Sequence, residues 1–238
     1  MKGISTRVRT RYQVIGPTLV ISLGGRRRVL SSAPQGGGFS PASHILNHQV
    51  ESRPGSNGPF PDPARYLRKL ATQLGVVSGT IGLMTAVPMT QLVMARAAAG
   101  QLWVECFATV GVTNAVRAGD WPLRRIRRRG ISIPGTINLI IITNGSLSGA
   151  AMVGAVQVAT EAKTGALRDC GVATWEGRSG ATGTGTDAVV IACQLRGLGP
   201  PHPYSGTHTI MGTLVGRVVA DCVSRGLAKA KQWQKKHQ

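Results

Sequence analysis

The sequence predicts an α/β (mixed α+β) fold: a single domain with a central mixed β-sheet flanked by helices. Three observations carry that prediction. Residues 91–97 and 102–110 are β-rich arms on either side of Ala98-Ala99-Gly100, which suits an antiparallel hairpin, with helix left open for the alanine-containing first arm. The apolar run GTINLIIIT at 135–143 is followed by a helical pattern at 147–170 and a second β-branched run at 188–195, the mark of a β-α-β crossover. No composition break divides the 238 residues, so 1–238 reads as one domain that includes a basic N-terminal strand region (1–28) and a lysine-rich tail (229–238).

Taken from the N-terminus, 12–23 and 28–32 read as strands joined by a hairpin turn at Gly24-Gly25. After Ser31-Ser32 the glycines at 36–38 turn the chain, and Pro41 starts a helix with Ser40 as its N-cap. Ile45, Leu46 and Val50 then face the core, while Asn47 and His48 point elsewhere. Residues 53–63 form a Gly/Pro loop, and Asp62 caps a second helix that runs to Leu74 and stops at Gly75. A strand over 76–87 ends in Met84-Thr85-Ala86. Beyond the hairpin, Arg117-Ala118-Gly119-Asp120 is a polar turn and 124–129 a basic loop. On the long helix Ala151, Ala155, Val158, Ala162 and Ala166 make a small-residue stripe for packing on the sheet, and Gly171 stops it. A last helix begins near Thr207 and runs into the tail.

Charge is lopsided: 28 basic residues against nine acidic give +19, which speaks of partners rather than fold. With few aromatics beside the basic groups at 7–11, 26–28 and 124–129, base-stacking platforms are poorly supported, and those groups read as solvated surface. Cys106, Cys170, Cys193 and Cys222 lie far apart without a C-x-x-C, so zinc is not expected and the thiols read as reduced, in a cytoplasmic protein. The most apolar long window, 76–100, is interrupted by Pro88, Gln91 and Arg96, so no membrane span is expected. The apolar N-terminal stretch runs straight into Arg26-Arg27-Arg28 without a cleavage site, which disfavours a signal peptide.

The candidate chemistry centres on GRSGATGTGTDAVV at 177–190. Glycine and threonine alternate from Thr182 through Gly183, Thr184 and Gly185 to Thr186, offering hydroxyls and a backbone N–H nest, and Asp187 stands where the loop enters a strand. There is no P-loop lysine and no G-x-G-x-x-G, so nucleotide hydrolysis is not supported. Glu161, Thr164 and Arg168 share a helix face, with Glu161 at the edge of the apolar stripe and Lys163 projecting on a different side. His208, in Tyr204-Ser205-Gly206-Thr207-His208, is a candidate acid or base. His44 and His48, four apart, lack a third metal ligand, and no protein-held metal is expected. Ser31 and Ser32 lack a nucleophile elbow, and an internal threonine has no amine of its own for a base, which favours activated water over a covalent intermediate.

Assembled, the motifs resemble one family, the adenosylcobinamide amidohydrolases. The likeness is collinear from about 29 to 220: LSSAPQGGGFSPASHILNHQV at 30–50, GLMTAV at 82–87, TNAVRAGD at 113–120, GTINLIII at 135–142, ATEAKTGALRDCGV at 159–172, ATGTGTDAVVIA at 181–192 and YSGTHTIMGTLVGR at 204–217. The resemblance implies hydrolysis of the amide joining aminopropanol to a corrinoid side chain, giving adenosylcobyric acid and 1-amino-2-propanol. Cobalt would enter inside the substrate, with no separate cofactor. On this reading Asp187 or Glu161 is the base and His208 the proton donor. Thr182, Gly183, Thr184, Gly185, Thr186 and Asn114 bind oxyanion or side chains, and Ser31, Ser32, Gly37, Asn47, Thr85 and Asp120 line the cleft. A corrinoid- or nucleic-acid-binding protein without activity is the competing class, and the oligomeric state is left open. The arginine-rich insert at 124–129 and the +19 charge are departures from what a cationic corrinoid would ask for.

Overall fold

Long β-branched and aliphatic runs, punctuated by glycine, build most of the molecule. The computed structural model describes residues 3–50, 62–76, 79–120 and 135–236. In chain order the elements are β1 (Arg11–Ile15), β2 (Thr18–Ser31), β3 (Gly38–Gln49), α1 (Pro63–Gln73), β4 (Thr80–Thr85), β5 (Val93–Ala99), β6 (Leu102–Val110) and β7 (Ala115–Val116). There follow β8 (Ile137–Thr143), β9 (Ser146–Leu147), α2 (Gly149–Asp169), β10 (Gly183–Thr184), β11 (Ala188–Cys193), β12 (Pro201–His202) and α3 (Ile210–Lys236). The main sheet has eight strands in the order β4-β3-β2-β11-β8-β6-β5, with β1 paired to β2 off that path. β8 with β11 and β3 with β4 are parallel, and the remaining pairs of this sheet are antiparallel. The expected mixed sheet with packed helices is therefore what forms.

Two faces make two cores. On one face Cys106, Ala108, Leu139, Ile141 and Ile191 meet Ala151, Ala155 and Ala159 of α2 and Leu214, Val218 and Cys222 of α3. On the other, the sheet curls so that Leu19, Ile21, Ile45 and Leu83 pack on Phe107, Ile140 and Val190. The curl is fastened by a buried polar chain: Asn138 Nδ2 donates to Asn47 Oδ1 (2.9 Å) and to the Met84 carbonyl (2.8 Å), and Asn47 Nδ2 donates to Thr109 Oγ1 (3.1 Å). Buried amides in such a place must be paired, because an unmet donor in the core costs about 1–3 kcal/mol. The N-terminal arm is tied down by Glu105. Its wholly buried carboxylate accepts from Arg9 N (2.6 Å), Thr10 N (3.1 Å) and Arg96 Nε (3.1 Å).

The β5–β6 hairpin, the fully buried β8, and the α1 and α2 boundaries follow the sequence. Asp62 accepts from Arg65 N (2.9 Å) to cap α1, and Gly75 (φ +70°) ends it. Gly171 (φ +65°) closes α2. Two expectations are corrected. Residues 38–49 are strand β3, not a helix begun at Pro41: pairing to β2 on one side and β4 on the other outweighs the local Ser-Pro cap signal. Gly24-Gly25 is not the hairpin turn, since β2 runs through it. The glycines (φ +69° and +138°) sit in a bulge where Leu23 to Arg26 face only Ser43 of β3. The real turn is at Gly16-Pro17, joining β1 to β2. The basic loop at 124–129 and most of the 53–63 loop lie outside the described residues.

Candidate active site

At the N-terminal end of the parallel pair β8/β11, the Gly/Thr loop folds back on α2. β10 pairs with β7, so the loop is stitched to the 113–120 turn, and Thr182 Oγ1 accepts from Ala118 N (2.8 Å). Asp187 is held there by four donors. Lys163 Nζ (2.5 Å) and Thr184 N (3.1 Å) reach Oδ2, while Thr184 Oγ1 (2.5 Å) and Ile137 N (3.0 Å) reach Oδ1. A carboxylate has about four lone-pair sites, so every one is engaged. The pair is nearly dry, with side-chain exposure of 9% for Lys163 and 12% for Asp187.

Lys163 is a candidate side chain that the sequence turns the wrong way. It projects into the buried stripe, four residues after Ala159 and three before Ala166, and not on a separate side. Glu161, expected at a partly buried edge, is exposed instead. Gly183 makes room for the pair, because a Cβ there would sit 2.7 Å from Lys163 Nζ. Counting the helical repeat from Ala159 would have found Lys163; its partner 24 residues further on would not have been visible.

Several expected residues converge on this end. Thr186 Oγ1 donates to the Gly135 carbonyl (3.3 Å), and Thr136 Oγ1 donates to the Thr186 carbonyl (2.8 Å). Gly185 and Thr186 stand exposed. Asn114 lies against Gly135, and its Oδ1 is buried without a partner among the described residues. Ser32 Oγ accepts from Val189 N (3.0 Å) on the strand that Asp187 opens, and Ser31 Oγ accepts from Ala33 N (2.9 Å). Gly37 is exposed in the same turn, where a Cβ would meet the Ala33 carbonyl at 2.6 Å. Asp120 is engaged by Arg178 (2.9 Å), which also pairs with Glu176. Asn47 and Thr85 are each 2% exposed and belong to the interior, not to an open wall. Thr85 Oγ1 accepts from Val87 N (3.0 Å).

His208 is elsewhere. It is exposed in the turn before α3, beside Ser205, whose hydroxyl donates to the Ala151 carbonyl (2.5 Å) near the start of α2. Lys163 lies twelve residues further along α2, about 18 Å of helix away. His208 and Asp187 therefore occupy opposite ends of the sheet. His44 and His48 sit on a strand, where residues four apart are about 13 Å separated. Both ring nitrogens of His48 are already engaged, by Thr18 Oγ1 (2.8 Å) and the Tyr66 hydroxyl (2.9 Å). Burial holds its imidazole below the usual range. Among the described residues no group of three or more His, Cys, Asp or Glu is gathered as a metal site. No helix is long and apolar enough to cross a membrane among the described residues.

Residues 1–235 match the family profile of the adenosylcobinamide amidohydrolases. The chain belongs to that family. It is 30% identical over 224 residues to the adenosylcobinamide amidohydrolase of Methanosarcina mazei, covering 91% of this chain and 97% of that one. It is 31% identical over 231 residues to an uncharacterized protein of Methanocaldococcus jannaschii, with 89% and 86% covered. A shorter stretch of 94 residues is 39% identical to the adenosylcobinamide amidohydrolase of Halobacterium salinarum, with 40% of this chain and 36% of that one covered. Family membership bears on the whole fold, since the matched residues include both ends of the sheet.

Proposed function

We propose that this chain hydrolyses the amide linking aminopropanol to the corrinoid side chain of adenosylcobinamide, releasing adenosylcobyric acid and 1-amino-2-propanol. Family membership supports the class of reaction, and one observation supports the place. The Gly/Thr loop, the 113–120 turn, the Gly135 entry to β8 and the Ser31-Ser32 turn meet at one sheet end around the dry Lys163–Asp187 pair. Cobalt comes with the substrate.

The geometry favours Thr184 as the attacking oxygen. The four donors fill the lone pairs of Asp187 that a water would need, and among the described residues the one uncharged side chain that donates to it is the Thr184 hydroxyl, at 2.5 Å. The base an internal threonine lacks is thereby supplied three residues on. Attack of Thr184 Oγ1 on the amide carbon forms an ester and a C–O bond. Its proton passes to Asp187 and then to the departing nitrogen, so the amine leaves neutral. Water then cleaves the ester and returns a proton to Thr184. Lys163 holds Asp187 in position. The exposed Gly185 offers a backbone N–H donor for the oxyanion, while Thr186 N donates to Thr184 Oγ1 (3.4 Å), and Asn114 Oδ1, without a partner among the described residues, suits the amide N–H.

A second reading puts the reaction at the other end, where α2 and α3 both begin and His202 Nε2 is buried without a partner among the described residues. Mass spectrometry of aminopropanol release decides between them. The proposal expects release by the native chain, loss of at least about 10² in rate for Thr184→Ala, and substantial retention for Thr184→Ser. Full activity in Thr184→Ala with loss in His208→Ala would move the reaction to the α3 end. No release by the native chain would end the hydrolase reading.

A further inference from the structure

Away from Asp187, beside the tip of the β5–β6 hairpin, a groove of about 740 Å³ is lined by Arg9, Arg96, residues 98–101 and Trp103. That volume is in the range of a small-molecule site. Arg96 is stacked on Trp103, its guanidinium carbon 5.6 Å from the ring centroid. Its Nε is held by the buried Glu105, and its two Nη groups carry no hydrogen bond among the described residues. Arg9 is exposed, with its backbone N–H anchored on Glu105 at 2.6 Å, and its guanidinium has no partner among the described residues. Glu105 cancels one of the two positive charges. The tip is shaped by Asn144, whose Oδ1 accepts from Trp103 N (2.9 Å) and whose Nδ2 donates to the Gln101 carbonyl (2.8 Å).

We infer that this groove binds a nucleoside phosphate, with the base stacked against the Arg96–Trp103 pair and the phosphates on Arg9. An unpaired guanidinium on an anchored backbone, beside a guanidinium–indole stack, suits a ligand that is both anionic and planar aromatic. A single aromatic ring in the groove lining favours one nucleotide unit over a strand, which asks for several successive stacking faces. The inference stands apart from the hydrolase reading: none of these residues touches Asp187, Lys163 or Thr184.

Calorimetry with ATP on the native chain tests it, with inorganic tripolyphosphate and a single-stranded deoxyadenosine 12-mer as comparison probes. The expected result is one ATP site that weakens by about tenfold or more in Arg9→Gln, the size of one charge-assisted contact, while aminopropanol release is unchanged in that variant. Trp103→Phe keeps a ring and is expected to bind several-fold more weakly, and Trp103→Leu more weakly still. No heat with millimolar ATP, or ATP binding indifferent to Arg9→Gln, overturns the inference. Tripolyphosphate competing as well as ATP overturns the stacking of a base. A 12-mer bound far more tightly than ATP, with steep salt dependence, overturns the single-nucleotide reading in favour of a strand.

Discussion

The two ends of the sheet use charge in opposite ways. At the Asp187 end one acid and one lysine are nearly dry and fully bonded, wrapped in glycine and threonine whose small side chains leave room for backbone to approach. At the hairpin-tip end Glu105 is buried, but the arginines around it keep unused donors facing outward. The contrast teaches that a charged residue marks chemistry only when its surroundings are read with it. Asp187 reads as a free base in the sequence and is a fastened one in the structure, and the hydroxyl it grips is the one proposed above as the nucleophile.

The largest test of that contrast removes one partner of the dry pair. Asp187→Ala leaves Lys163 buried and unpaired, which should cost about 3–5 kcal/mol in urea unfolding, whereas Asp187→Ala with Lys163→Met should recover much of the loss. Equal stabilities for single and double variants would mean that the two groups are not coupled. Next in size, Gly183→Ala places a methyl against Lys163 Nζ and should destabilise by about 1–3 kcal/mol while lowering turnover. An unaffected rate would show that the loop yields without moving Asp187.

A smaller effect concerns pH. Burial lowers the His48 imidazole below its ordinary value of 6.5, so the unfolded chain binds more protons than the folded one between the two values. This contribution is whole above about 6.5, falls as the pH drops toward the lowered value, and is flat below it. His202 is shifted the same way by burial. Thermal melts from pH 7.5 down to 4.5 should show that acid-side loss, and His48→Gln should flatten it; an unchanged slope would assign the loss to other groups. The smallest expected effects are Glu161→Gln and His208→Ala, both exposed and away from Asp187, with turnover within about twofold of native.

How far the sequence could be read follows from where each signal resides. β8, the β5–β6 hairpin and α2 were legible because their patterns are local: a continuous apolar run, a glycine between β-rich arms, a small-residue stripe closed by Gly171. β3 was not, because Ser40-Pro41 carries a genuine helix-start signal that loses only when β2 and β4 are present on both sides. The opposite placement of His208 and Asp187 was derivable in principle. Asp187 precedes β11 and His208 follows its end, and a strand separates what comes before it from what comes after. The contacts between Lys163 and Asp187, and between Asn47 and Asn138, join residues far apart in the chain, which no local pattern encodes.

The central claim is that the substrate's scissile linkage is met at the Asp187 end. A crystal structure of Thr184→Ala soaked with adenosylcobinamide tests it most directly. The account predicts the aminopropanol amide beside residue 184, its carbonyl toward the Gly185 backbone and its N–H toward Asn114. A corrin ring seated instead on His208 and the starts of α2 and α3 would contradict it.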